Sequence, residues 1–454
     1  MGATGFVDGS TAPHVFVDTD DTMKRIAILH FAGPPTVGGV ELTMLQHARL
    51  MADAGYTVRV ITGTGSSFDD RVEVAIVPEL GSRHPAVLAV KKELDTGKVT
   101  PRFGALRDQI ESHLRGLLAD MDILIAHNVF TLHKNLALTA ALNQLTNQPT
   151  NMRFIGWHHD FAWTNPLYRK QLHDGEPWDL LRRPWSGVRH VTVSEARRRE
   201  LAQLYDIDES NITVVPPGVD PAEFFGWQPL TRAIVDRLNL LDADVILLLP
   251  ARITRRKNIE LAVRTLAELR RQTGLDVRLI VTGPPGPHNP ANDAYLQSLL
   301  ALRREHGLDG AAHFLYELNP ARLFTDPLFT HQSNSEQLSV SSEQLNVPDA
   351  VIGDLYTLAD ALFFPSRQEG FGIPVLEAGL ARLPAFCADI PPLRETGDGL
   401  AHYFDPNAEP TKIAALIAVA LEADRPGLLR RRVRGNYTWS RIFRDQIIPL
   451  LETP

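Results

Sequence analysis

The apolar positions of this chain switch repeatedly between two periods. Residues 24–30 form a short apolar run that reads as a strand. Residues 41–54 carry Leu42, Leu45 and Leu50 at helical spacing, and residues 56–61 read as a second strand. A strand, a helix and a strand joined without a hairpin turn make a βαβ unit and predict a parallel sheet. The alternation continues with a helix over 103–118 (Leu106, Ile110, Leu114, Leu117), a strand over 121–126, a helix over 131–146 and a strand over 152–157. Ser194 then stands where a helix N-cap is expected. After the Pro/Gly-rich run 212–220 the pattern starts again. Residues 245–249 are wholly apolar, as a strand buried on both faces requires. Strands over 276–281 and 313–316, helices over 291–306 and 351–360, and a strand over 361–364 follow. The fold class is therefore α/β with parallel sheets.

Length turns this pattern into domains. A chain of 454 residues is too long for one ordinary core. Residues 1–23, acidic and rich in Gly and Thr, read as a disordered tail. The first domain is expected over 24–220 and the second over 221–430, with an insertion at about 318–348, where Pro, Asn, Ser and Gln break the pattern. A closing helix is expected within 431–454.

Composition narrows the class. The hydrophobic fraction of 44% is that of a soluble globular protein, and a net charge of −8 gives no general affinity for nucleic acid. No apolar run reaches the roughly 18–20 residues that span a bilayer, and residues 1–23 have no apolar signal-peptide core. A cytoplasmic location is expected. The single cysteine, Cys387, excludes an intrachain disulfide and follows an apolar run, so it reads as a buried strand thiol.

Candidate chemistry gathers where strands end. After the strand over 361–364 comes Glu369-Gly370-Phe371-Gly372-Ile373-Pro374, then a helix containing Glu377. Pro374 suits the first helical position, and the free N–H groups before it form a seat for phosphate. Glu369 and Glu377 would repel phosphate, so they suit sugar hydroxyls. Beyond the strand over 245–249 lie Arg252, Arg255, Arg256 and Lys257, four cations in six positions that call for an anion. Gly38 and Gly39 follow the first strand without the Gly-x-Gly-x-x-Gly fingerprint, so no nicotinamide cofactor is expected. His127, His158 and His159 stand at strand ends, where ligands of open α/β sheets bind. Residues 161–187 are rich in aromatics and cations, among them Trp163, Tyr168 and Arg169. They read as a packed excursion or as part of an acceptor pocket. Asp242 and Asp244, just before an apolar strand, read as a solvated turn and not as a metal motif.

The Glu369–Glu377 run, eight positions from glutamate to glutamate, resembles the signature of retaining glycosyltransferases of family 4, which have the GT-B fold. The Arg252-x4-Lys257 spacing, the Gly38-Gly39 loop and the His159-Asp160 pair are similar to that family's pattern in the same order. The resemblance covers about 24–454 except 62–100 and 318–348. It implies two Rossmann-like domains whose parallel sheets face across a cleft, with a C-terminal helix crossing back. It implies transfer of a hexose from a nucleotide-sugar of the GDP-mannose or UDP-glucose type to a hydroxyl acceptor. Arg252, Lys257, Gly38, Gly39, Gly370, Phe371, Gly372 and Ile373 would hold the donor diphosphate, Glu369 the donor sugar and Glu377 the ribose. His159, Glu369, Arg252 and Lys257 would be catalytic. Either His158 or His159 would meet the transferred sugar; the sequence does not separate them. No metal and no other cofactor is expected.

The acceptor is the open term. His127, His158, Trp163, Tyr168 and Arg169 are candidate acceptor contacts; the aromatic and basic stretch 161–187 favours a small polar or phosphorylated molecule, and a cell-wall or exopolysaccharide precursor stays open. A nucleotide-sugar epimerase, a glycosyl phosphorylase and a non-catalytic nucleotide-sugar-binding subunit remain alternatives on the same fold. The sequence is silent on oligomeric state.

Overall fold

Two parallel sheets organise the chain. The computed structural model describes residues 23–35, 38–287, 289–323 and 344–453. The chain divides into one unit of Met1–Pro217 with Asp445–Pro454 and a second of Gly218–Arg444.

The first unit's sheet contains β1 (Arg25–His30), β2 (Thr57–Thr62), β3 (Val72–Ile76), β4 (Ile123–His127), β5 (Arg153–His158), β6 (Val188–Thr192) and β7 (Ile212–Val214). Their order is β3-β2-β1-β4-β5-β6-β7, all parallel. Strand order reverses between β1 and β4. Such a switch point leaves a crevice at the carboxyl ends of the strands, because the connections on either side depart to opposite faces.

The second unit repeats the plan with β8 (Val245–Leu249), β9 (Val277–Val281), β10 (Ala312–Phe314), β11 (Ala361–Phe364), β12 (Ala385–Ala388) and β13 (His402–Phe404). The order is β10-β9-β8-β11-β12-β13, again all parallel, and the switch point lies between β8 and β11. Every residue of β8 and β11 is buried, which explains their unbroken apolar sequence.

A buried ion pair fixes the amino ends of these two strands. Arg434 Nη2 donates to Asp360 Oδ2 at 2.6 Å, and both side chains are almost wholly inside. Arg434 also donates to the carbonyls of Ala243, Asp244 and Leu358, and Ile246 N–H donates to Asp360 Oδ2 at 2.8 Å. One guanidinium thus ties the chain entering β8 to the chain entering β11.

Several expectations change. The helix Gly39–Asp53 forms, but it buries Thr43, Met44, Gln46, His47, Ala48 and Met51, while Leu42 is exposed. Residues 62–100, unread in the sequence, supply β3 and the helix Pro85–Leu94. Part of the expected insertion is ordered: Pro320–Leu323 is a helical turn, and Leu345 N–H donates to Leu318 O. The rest of that insertion, 324–343, and residues 1–22 of the expected tail lie outside the described residues. The closing segment is Trp439–Ile442, a π-turn over Phe443–Ile447, and Ile448–Glu452, and only Asp445–Pro454 joins the first unit. There Lys24 and Arg153 donate to the carbonyls of Leu450 and Leu451, so cations satisfy a helix C-terminus. Cys387 is buried in β12, and burial pushes its thiol up to about 12.

Candidate active site

In the second unit the switch point brings two distant segments together. The chain leaving β8 runs through Arg252 to a 3-10 turn at Arg255–Lys257, and the chain leaving β11 runs to Glu369. Arg367 N–H donates to Arg256 O at 2.8 Å and ties the two loops. Lys257 Nζ donates to Glu369 Oε1 at 2.5 Å, while Arg256 Nη1 lies 3.6 Å from Glu369 Oε2. Lys257 Nζ also stands 4.9 Å from the centre of the Phe364 ring. Both partners of the pair are nearly buried, at 10% and 8% side-chain exposure. Burial lowers the pKa of Lys257, and Glu369 partly offsets that by favouring the ammonium.

Arg252 is exposed and makes no ion pair among the described residues. Arg255 is spent on packing, its guanidinium 5.0 Å from the Tyr295 ring. The four-cation cluster therefore resolves into one paired lysine, one paired arginine, one stacked arginine and one available arginine.

The helix Ile373–Leu380 begins beside this pair. Gly372 is its N-cap and supplies no side-chain cap; Ile373 is the first helical residue and Pro374 the second, one place later than expected. Gly372 has φ +102°, and a Cβ there would lie 2.4 Å from Leu393 Cδ2, so both backbone and space demand glycine. Thr396 Oγ1 donates to Phe371 O and pins the turn. Phe371 and Ile373 are exposed. Glu377 sits one turn in, and Tyr356 O–H donates to its Oε2 at 2.7 Å. Burial and Glu377 both push the Tyr356 hydroxyl pKa up, so it stays a donor.

Asp242 and Asp244 have structural partners: Arg444 donates to Asp242, and Asp244 Oδ2 accepts from Asp276 N–H at 2.8 Å.

In the first unit, histidines crowd the switch point. The Gly38-Gly39 loop leads from β1 into its helix, Gly38 stands as N-cap, and a Cβ there would collide with Glu41 Oε2. His127 ends β4 and His158 ends β5. His158 turns inward: it is fully buried, with Nε2 3.0 Å from His190 Nδ1 and Nδ1 3.2 Å from Thr131 Oγ1. His158 therefore cannot touch an acceptor. His159 is the partly exposed member of the pair. Its backbone N–H and that of Asp160 donate to Asn128 Oδ1 at 2.7 and 3.1 Å. Its ring Nε2 lies 3.2 Å from His127 Nδ1. His127 is also fully buried, which removes it as an acceptor contact, and its carbonyl accepts from His30 Nδ1 at 2.7 Å. His47 packs edge-on against Trp157, ring centres 4.6 Å apart. Burial lowers all these rings: His47 to about 3, His159 and His190 to about 4, and His30, His127 and His158 below the ordinary value. Among the described residues no three His, Cys, Asp or Glu side chains are placed to hold a metal ion.

The aromatic and basic excursion closes on itself. Trp163 donates from Nε1 to Trp178 O, and the guanidinium groups of Arg169 and Arg182 lie 4.9 and 4.2 Å from its ring centre. Arg182 pairs with Asp174 and Asp179, Arg183 with Glu176, and Lys134 lies over Tyr168. These groups stack on one another, which is the packed-excursion reading of that stretch.

The sequence reading missed Asn128, Tyr356 and Thr396. Asn128 had a signal: it follows a strand, and its φ of +59° is one that asparagine tolerates better than most residues. Tyr356 and Thr396 had none, because their roles depend on tertiary placement.

Residues 37–223 match the family model described as Glycosyltransferase Family 4, and residues 344–437 match Glycosyl transferases group 1. The mannosylglucosylglycerate synthase of Petrotoga mobilis is 26% identical over 60% of this chain and 61% of that relative, so the match spans less than two thirds of it. The mannosylglucosylglycerate synthase of Thermotoga maritima is 23% identical over 79% of each chain. The D-inositol 3-phosphate glycosyltransferase of Nocardia farcinica is 30% identical over 82% of this chain and 75% of that relative.

Proposed function

Because the chain belongs to glycosyltransferase family 4 and has its GT-B fold, we propose that it moves a hexose from a nucleotide-sugar to a hydroxyl of a small polar or phosphorylated acceptor. The observation that carries this reading is the Lys257–Glu369 pair at the carboxyl ends of β8 and β11, beside the uncapped start of Ile373–Leu380. A cation, a carboxylate and free helix N–H groups within one switch point match a ligand with a diphosphate at one end and hydroxyls at the other.

In this proposal Arg252, Lys257 and the N–H groups around Gly372 take the diphosphate. Glu369 accepts from sugar hydroxyls, and Glu377, held by Tyr356, accepts from the ribose. His159 meets the transferred sugar. The acceptor oxygen forms a bond to the anomeric carbon as the bond from that carbon to the diphosphate oxygen breaks. The electron pair leaves with the diphosphate, and the acceptor's proton passes to a phosphate oxygen. Attack on the face the diphosphate leaves retains the anomeric configuration. Lys257 and Arg252 stabilise the charge that develops on the leaving group. No divalent cation takes part. The relatives named for mannosylglucosylglycerate and inositol 3-phosphate chemistry support a small acceptor bearing a carboxylate or phosphate.

Calorimetry with UDP, GDP and ADP, each with and without Mg²⁺, tests the reading. Micromolar binding of one nucleotide, indifferent to Mg²⁺, is expected and names the donor base. Binding of none would refute it.

A further inference from the structure

We infer that His127 is a positioning residue that sets which nitrogen of His159 carries the proton, so that His159 offers an Nδ1–H to a substrate oxygen.

His127 Nδ1 and His159 Nε2 are 3.2 Å apart, within hydrogen-bond reach, and neither ring has a carboxylate partner among the described residues. Burial and the surrounding histidines keep both rings neutral, so each holds one proton, and the contact needs one N–H and one lone pair. Two arrangements satisfy it. If His159 donates, the proton of His127 must sit on Nε2, which is wholly buried and has no hydrogen-bond partner. If His127 donates from Nδ1, its Nε2 keeps only a lone pair. A buried N–H without an acceptor is rarer and more costly than an acceptor without a donor. The second arrangement therefore prevails, and the proton of His159 goes to Nδ1, the nitrogen turned away from His127.

The backbone reinforces the choice. Asn128 Oδ1 accepts from the N–H groups of both His159 and Asp160, and Thr131 Oγ1 donates to Asp160 O at 2.9 Å. These bonds hold the backbone that carries the His159 ring beside His127. His159 is thus a fixed, neutral hydrogen-bond donor and not a general base, and the substrate group facing it is an acceptor oxygen of the sugar. This assignment rests on the reading above, in which His159 meets the transferred sugar.

The test reads the protonated nitrogen directly. Protein labelled with ¹⁵N-histidine is examined by long-range ¹H–¹⁵N correlation at neutral pH, with His159 assigned from the signals lost in His159→Gln. The neutral Nδ1–H form is expected in the wild type. His127→Asn places an amide N–H near the position of Nδ1 and should keep that form. His127→Leu, of similar size but with no donor, should give a mixture, with kcat/KM about tenfold below that of His127→Asn, the worth of one hydrogen bond. A wild-type His159 protonated on Nε2 overturns the inference whatever the turnover, as do Asn and Leu variants that behave alike. If His127→Leu fails to fold, the wild-type spectrum still decides. Undiminished turnover in His159→Gln would instead overturn the part given to His159 in the reaction.

Discussion

Replacing Arg434 by methionine should loosen the second unit from beneath its active site. The change keeps an unbranched apolar stem and deletes the guanidinium. Four hydrogen bonds go with it, to Asp360 Oδ2 and to the carbonyls of Ala243, Asp244 and Leu358. Asp360, fully enclosed, is left with the Ile246 N–H alone. Removing one partner of a buried pair costs about 3–5 kcal/mol. The carbonyls of Ala243 and Leu358, both enclosed, add roughly 0.5–1.5 kcal/mol each, while local relaxation returns part of the loss. A net cost of about 4–6 kcal/mol is close to the whole stability of many domains. Native-state hydrogen exchange measures it unit by unit. The slowest amides of β8 and β11 should exchange faster by roughly three to four orders of magnitude, while those of β4 and β5 stay as they were. Adding Asp360→Leu, which removes the stranded carboxylate, should recover a large part of the loss. A loss below about 1 kcal/mol in the single variant, or equal loss in both units, would refute the argument.

Four further outcomes are expected. Lys257→Met should weaken nucleoside diphosphate binding by roughly 100-fold with the circular dichroism unchanged, since one charge-assisted contact to phosphate is lost; unchanged affinity by calorimetry would remove Lys257 from the site. Tyr356→Phe deletes the 2.7 Å bond to Glu377 and should raise KM for the nucleotide-sugar by roughly 3- to 10-fold in steady-state assays. Gly372→Ala forces a side chain into φ +102° against Leu393 and should cost about 1–3 kcal/mol in thermal unfolding, together with nucleotide affinity. Acid should weaken the first unit early. Burial holds His47 near 3 and His159 and His190 near 4, against an ordinary 6.5. Between those values the unfolded chain takes up protons that the folded unit refuses, so stability falls as pH drops from about 6.5 towards about 4 and returns as it rises. A melting temperature flat across that window would contradict the burial of these rings.

The central strands of both sheets were legible because parallel strands buried on both faces must be apolar, whereas β3, β6, β7 and β13, partly exposed and towards the sheet edges, went unread. The run over 245–249 needed nothing but composition to be read. The position of the basic cluster at a strand's carboxyl end was legible from its spacing, but its partners were not: Lys257 and Arg256 meet Glu369 and Arg255 stacks on Tyr295. What the sequence could not supply was direction. The helix Gly39–Asp53 was correctly placed, yet its leucines lie off the buried face, which is built from Met44, Ala48 and Met51 together with the polar Thr43, Gln46 and His47. His158 and His159 are neighbours, and a strand sends neighbours to opposite sides, so one is enclosed and the other partly open; which is which depends on the sheet's other face. Trp163, Tyr168 and Arg169 left packing and acceptor binding both open, because stacked aromatics and cations have the same composition whether they meet a ligand or one another.

The division of the chain has a consequence for its biosynthesis. The first unit is not continuous: its sheet waits for residues 445–453, whose Leu450 and Leu451 carbonyls meet Lys24 and Arg153 and whose Glu452 meets Tyr56. Residues 218–444 are continuous and emerge from the ribosome before that closing segment. The second unit can therefore finish folding while the unit begun first still lacks its closing segment. That inverts the usual order of a chain made from its amino end.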